Sequence, residues 1–355
     1  MIVLTGYIES GLSYKQIMRG RIDSIAFERL DVNKHIKFIT EIDGESMAVC
    51  KWVSPKRTRS YPYARVYDIL SQDVSKKVAI IPVVKDEGKY GDRDFLQWDT
   101  ISLLSLLNVF IIPAYYCAAD KKGFKLTNQR FEEGYIRSKL IELSAYRYNA
   151  LHWNIKEFKN LYAIVDKIIE CYRNIFRKLN VELHDEKGIL RYREEISKNL
   201  EDFVLYSRNK ALKAQHREVN TIQPKEKLEY RKAKIDIANY LGGLYHFTVD
   251  EVIITKEEVI LIESKHSKNK IFPSIEDVKD ALLKIMLYKS ISKLEVNGNQ
   301  FPFSVALKLT TEKKDAPISL AEAVKKLNGR YKEFYEGLLG EASINDFRIY
   351  YHAVG

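Results

Sequence analysis

Two short apolar runs, Val252-Ile253-Ile254 and Val259-Ile260-Leu261-Ile262, flank the polar tetrapeptide Thr255-Lys256-Glu257-Glu258. Runs of this length, rich in β-branched residues and interrupted by charge, predict a β-hairpin. With the turn centred on Lys256 and Glu257, Thr255 pairs with Glu258 and Ile254 with Val259. The same register carries Asp250 opposite Glu263. Directly opposed residues hold their Cβ atoms about 4.5–5.5 Å apart, and side chains repeat every second residue along a strand, so Glu263 and Lys265 share a face. The pattern therefore brings two carboxylates and an amine together.

Helical spacing is read on both sides of this hairpin. Ala233, Ile237, Tyr240, Leu241 and Leu244 recur at helical intervals, predicting a helix over 224–241 that Gly242-Gly243 stops. Glu229 and Asp236 project onto that stripe, seven residues being nearly two turns, and either is a candidate further acid or a stripe-edge charge. A short strand is predicted at 244–248. After the hairpin, Ser274 caps a helix to about Ile291, with Asp277 reaching back. Residues 303–310 then alternate as a strand, followed by a helix over 319–338 and a strand over 347–353. Nearer the start, strands are predicted at 35–42, 46–53, 77–84 and 109–116. Ile136, Leu140, Leu143, Leu151, Ile155, Phe158, Leu161, Ile164, Ile168 and Ile169 mark a helical stretch. The expected division is an N-terminal α/β region over 1–125, a helical segment over 126–210 and a C-terminal unit over 211–355.

Paired carboxylates beside a lysine suit phosphodiester chemistry. The substrate is an anion that repels hydroxide and expels a poor alkoxide, so charge must be neutralised on both sides of phosphorus. Mg²⁺ does this with one or two protein carboxylates, several waters and phosphate oxygens. Asp250 and Glu263 could supply those carboxylates and Ser264 a main-chain carbonyl, while Lys265 could orient or help deprotonate the attacking water. A Glu-x-Lys tripeptide alone carries little weight, since Glu157-Phe158-Lys159 and Glu312-Lys313-Lys314 also occur. Only Glu263 ends an apolar strand with an acid one hairpin upstream. The competing reading is a surface hairpin with a cross-strand salt bridge.

The order helix, strand, hairpin, helix, strand over roughly 224–310, with Asp250, Glu263 and Lys265 at its polar positions, resembles the core of the PD-(D/E)xK nuclease superfamily. Val249 stands where the name-giving proline would. The resemblance implies an α/β fold with a C-terminal nuclease core, a mixed sheet flanked by helices. It also implies Asp250, Glu263 and Lys265 as catalytic residues, and Mg²⁺, with Mn²⁺ able to substitute, as cofactor. A nuclease-sized core joined to a larger N-terminal region is similar to type II restriction endonucleases. That likeness implies site-specific cleavage of double-stranded DNA, a homodimer matched to twofold sites, and a cognate DNA methyltransferase acting on the same site.

Composition fits this picture without specifying it. At 355 residues, two or three packed units are expected. Cys50, Cys117 and Cys171 are odd in number and never in a CxxC pair, which points to a reducing cytoplasm and away from a structural zinc. The apolar stretch 101–119 is interrupted by Ser102, Ser105, Asn108 and Pro113 and reads as a helix and a strand, so no membrane span is required.

The net charge of +10 suggests a polyanionic partner. Lys51, Lys56, Arg57, Arg59 and Arg65 lie together without an acid, interleaved with Trp52, Tyr61 and Tyr63, and form the candidate DNA-binding segment. A solvated basic loop is the alternative there. A second basic stretch, 208–234, sets nine basic residues against Glu218, Glu226 and Glu229. One other constellation, the acidic loop from Asp86 to Asp94, follows a predicted strand and could bind a cation, but it has no phosphate-cradling glycine pattern. The function expected is a Mg²⁺-dependent endonuclease. Its alternatives are a non-catalytic DNA-binding protein on a nuclease-like scaffold, and a phosphotransfer or hydrolytic enzyme centred on loop 86–94.

Overall fold

The computed structural model describes residues 3–55, 62–182, 184–198, 201, 203–205 and 231–353. The chain divides into two units, one formed by Arg21–Arg208 and the other by Met1–Gly20 together with Asn209–Gly355. Two units thus replace the three expected. The helices expected as a separate segment share one core with the N-terminal sheet, and the first strand, β1 (Val3–Ile8), joins the C-terminal part by pairing in parallel with a strand more than two hundred residues later.

The unit spanning Arg21–Arg208 holds β2 (Lys37–Ile42), β3 (Glu45–Lys51), α1 (Pro62–Leu70), β4 (Lys76–Pro82), the short hairpin of β5 (Val84–Asp86) and β6 (Arg93–Phe95), α2 (Trp98–Leu106) and β7 (Val109–Ala114). A second hairpin, β8 (Tyr116–Lys122) and β9 (Lys125–Phe131), precedes α3 (Glu133–Ser144), α4 (Ala150–Lys159), α5 (Leu161–Leu179) and α6 (Lys187–Lys198). Its main sheet runs β2-β3-β4-β7, with β3, β4 and β7 mutually parallel. These are the four strands read from the sequence. Phe38, Met47, Val49, Val78, Ile80, Phe110 and Ile112 make its buried side, against Ile136, Leu140, Leu143 and Trp153 of the helices.

The other unit continues with β10 (Arg231–Asn239), β11 (Leu244–Ile254), β12 (Val259–Ser267), α7 (Ile275–Lys289), β13 (Lys293–Val296), β14 (Asn299–Phe301), β15 (Phe303–Thr311), α8 (Leu320–Lys325), α9 (Gly329–Asn345) and β16 (Arg348–Ala353). Its strands form one eight-stranded mixed sheet in the order β14-β13-β1-β10-β11-β12-β15-β16. The sheet is antiparallel from β10 to β12 and parallel from β12 through β16. Helix α7 packs on β12 and β15. Leu261, Val305, Leu307 and Leu309, together with Leu282, Leu283 and Ile285, are fully buried. Among the described residues no helix is long and apolar enough to cross a membrane.

One element differs in kind from its sequence reading. The described part of 224–241 is the strand β10, not a helix. Ala233, Ile235 and Ile237 are fully buried and alternate with Lys234 and Asp236. The coincidence of Ala233 and Ile237 at a four-residue interval hid this period of two. Residues 244–248 and the first arm of the hairpin are likewise one continuous strand.

Candidate functional site

The hairpin adopts the predicted register. Ile254 pairs with Val259, Ile253 with Ile260, Val252 with Leu261 and Glu251 with Ile262, and the Thr255 N–H donates to the Glu258 carbonyl at 3.0 Å. The ladder ends at Glu251 and Ile262, one residue short of Asp250 and Glu263. On its other edge β11 pairs with β10, where Ala233 faces Val249 but Arg231 faces Val252. A two-residue step on β10 thus spans a three-residue step on β11, a β-bulge. Alternation along β11 from Val252, which pairs with Leu261, puts Asp250 on the face of Glu263, whose carboxyl it influences. Its Oδ2 accepts the Ser264 N–H at 2.9 Å.

Glu263 is completely buried. Its Oε2 accepts from Lys284 Nζ at 3.0 Å and its Oε1 from Tyr288 Oη at 2.8 Å. Burial pushes the Glu263 carboxyl up to about 7; Lys284 and Lys265 pull it back and Asp250 adds to the rise. Burial opposes the charge of Lys284, but Glu263 and then Asp250 outweigh it and hold the ammonium well above its usual range. Lys265, two residues on, donates to Asp280 Oδ2 at 3.2 Å. Asp280, Lys284 and Tyr288 recur every four residues on one stripe of α7, and Ser274 starts that helix by accepting the Asp277 N–H at 3.1 Å.

The sequence reading missed all three α7 residues. The available signal was Lys284 itself, a lone charge inside Ala281-Leu282-Leu283-Lys284-Ile285-Met286-Leu287. A charge so placed requires a buried partner. Ser264 turns its hydroxyl to the opposite face, where it donates to Glu251 Oε1 at 3.0 Å beside the Glu251–Lys308 ion pair at 2.8 Å.

Asp250 and Glu263, with the Ser264 carbonyl between Glu263 and Lys265, suit a hard cation that needs only one or two protein carboxylates. Among the described residues no group of three or more His, Cys, Asp or Glu side chains could hold a metal ion. Glu229 lies outside the described residues. Asp236 sits on β10 opposite His246, and its Oδ1 bonds His246 Nδ1 at 2.7 Å.

The basic segment is largely interior where it is described. Lys51 is buried, donating to the carbonyls of Val32 and, at 2.9 Å, Asn33. Arg65 donates to the Lys51 carbonyl at 2.6 Å. Trp52 and Tyr63 are buried and pack edge to face at 6.4 Å, as core residues rather than stacking platforms. Lys51 thus lies on a strand inside the sheet rather than on an exposed basic loop. Lys56, Arg57, Arg59 and Tyr61 lie outside the described residues.

In loop 86–94, Asp86 is buried and its Oδ1 receives the Gly88 N–H at 2.8 Å and meets His184 Nδ1 at 2.6 Å, while Asp94 accepts from Ser54 Oγ at 3.1 Å. These acids tie the loop down. Compared with known proteins, the chain matches no protein-family model, no curated protein and no solved structure.

Proposed function

We propose that the chain is a Mg²⁺-dependent endonuclease of the PD-(D/E)xK type, cleaving double-stranded DNA at specific sites as a homodimer in the manner of a type II restriction enzyme. One observation carries this reading: the hairpin register brings Asp250, Glu263 and Lys265 to one face, with Asp250, Lys265 and Asp280 partly exposed. Asp250, Glu263 and the Ser264 carbonyl would hold the cation. When bound, Mg²⁺ would supply charge neutralisation at the scissile phosphate and acidify water. Lys265, held by Asp280, orients the attacking water and stabilises the charge that develops as the water oxygen bonds phosphorus and the P–O bond to the leaving alkoxide breaks. Lys284 and Tyr288 hold Glu263 in place.

A second reading has an observation of its own. Both Glu263 oxygens are engaged inside the protein, as in a structural ion pair, which favours a non-catalytic DNA-binding scaffold. Incubating a plasmid of known sequence with Mg²⁺ and mapping the ends separates the two. Defined termini support the nuclease, and Asp250→Ala and Glu263→Ala should each cut at least 10²–10³-fold more slowly, on the scale of one preorganised electrostatic contact, while still retarding DNA in a gel. Full cleavage by both variants would remove the site, and binding without cleavage by the intact protein would favour the scaffold.

A further inference from the structure

Within Arg21–Arg208 a cavity of about 440 Å³ opens beside β9, in the size range of small-molecule sites. Its charged lining is one-sided: Lys34, Lys51, Lys85, Lys125 and Arg130 against Glu87 alone. Three of these cations have carboxylate partners, Lys34 with Asp31 at 3.0 Å, Lys85 with Glu87 at 3.0 Å and Arg130 with Asp120 at 2.9 Å. Lys51 does not. Elsewhere in this unit, lysines with little exposure meet acids: Lys76 binds Glu45 at 3.1 Å and Lys139 binds Glu157 at 2.8 Å. Lys51 instead uses two carbonyls, and an ammonium carries three donors. Burial pulls it down to about 8, with Asp31 opposing and Arg65 adding to the fall. A buried ammonium with no carboxylate in direct contact among the described residues, on the wall of a cavity, is a site an anion would stabilise.

We propose that this cavity binds a phosphate-bearing ligand of nucleotide size, with Lys51 and Lys125 as its cationic contacts. The volume exceeds that of a bare ion, and Tyr116 and Leu126 supply apolar wall for an organic body. The same chemistry is offered by a free nucleoside monophosphate and by a nucleotide within a single DNA strand. The site is remote in sequence from Asp250 and Glu263 and is read by binding rather than cleavage, so it stands or falls independently of the nuclease.

Calorimetric titration of the full chain at low salt with inorganic phosphate, deoxynucleoside monophosphates and a short single-stranded oligonucleotide tests this. One-to-one saturation by a monophosphate is expected, with inorganic phosphate weaker. Saturation by the oligonucleotide alone would support the site and assign its source to a strand. Lys125→Ala, at an exposed position, should weaken binding about tenfold, the loss of one charge-assisted contact, and Lys51→Met should abolish it. If Lys51→Met fails to fold by circular dichroism, Lys125→Ala decides. No saturable binding by any probe, or affinity unchanged in Lys125→Ala and in a folded Lys51→Met, would overturn the proposal.

Discussion

Glu263 answers to two opposed demands: burial favours its neutral form, whereas a cation needs it ionised. Its raised folded-state value means that the folded protein holds this proton more tightly than the unfolded chain does. Taken alone, Glu263 therefore contributes most to stability at low pH, and the contribution is lost as pH rises from its ordinary value of 4.5 to about 7, a span of about 3 kcal/mol. Lys284 offsets this by pairing with the carboxylate. For metal binding the direction reverses. Mn²⁺ affinity should rise up to about tenfold per pH unit below 7 and flatten above it, because each ion bound displaces a proton; calorimetry at pH 6, 7 and 8 measures this, and a flat profile would remove Glu263 as a ligand. Lys284→Met should lose about 3–5 kcal/mol at pH 8, where it strands an ionised carboxylate, and less at pH 5, where Glu263 is protonated. Mn²⁺ should then raise the melting temperature of the variant more than that of the wild type. Equal losses at both pH values with no metal effect would mean that Lys284 does not stand in for a cation. The side chains on the strands were legible, since a two-residue period fixes faces. The partners on α7 were not, because which turn of a distant helix covers Glu263 is set by packing.

At the scale of elements, the candidate face involves a hairpin, a neighbouring bulge and a helix, and these were unequally readable. The Thr255-Lys256-Glu257-Glu258 turn fixes the hairpin register locally, so the juxtaposition of Asp250 and Glu263 followed from sequence. The bulge did not, because it exists only in the pairing of β11 with β10, and β10 itself was read as a helix. Helix α7 was legible in its start and length, from the Ser274 cap and the apolar run behind it. What it carries can be tested without disturbing the sheet. Asp280→Asn should leave folding and Mn²⁺ affinity close to wild type yet slow cleavage roughly 10–100-fold, the usual scale for a residue that positions a functional group, because Lys265 loses its charged partner. A fall in metal affinity with unchanged turnover would instead place Asp280 among the ligands. Ser274→Ala is the structural control: it should cost about 1 kcal/mol of stability, with metal affinity intact.

The whole molecule has an arrangement that local pattern could not reveal, a C-terminal sheet whose interior strand comes from the other end of the chain. β1 lies between β10 and β13, and Leu4 and Ile8 are buried in the sheet's core. Its six residues, interrupted by Thr5 and Gly6, were not read as a strand, and their partner is separated from them in sequence by all of Arg21–Arg208. Deleting residues 1–20 should therefore damage the distant unit and spare the adjacent one. The deletion removes the burial of Leu4 and Ile8, about 1.5–3 kcal/mol each, and leaves the facing edges of β10 and β13 without their ladder. In hydrogen exchange, amides of β10–β12 and α7 should lose protection while those of β3, β4 and β7 keep theirs, and cleavage should disappear with the C-terminal sheet. Loss of protection throughout Arg21–Arg208 would show that the two units fold as one. Wild-type protection of β10 in the truncated chain would mean that β1 is dispensable to the sheet that holds Asp250 and Glu263.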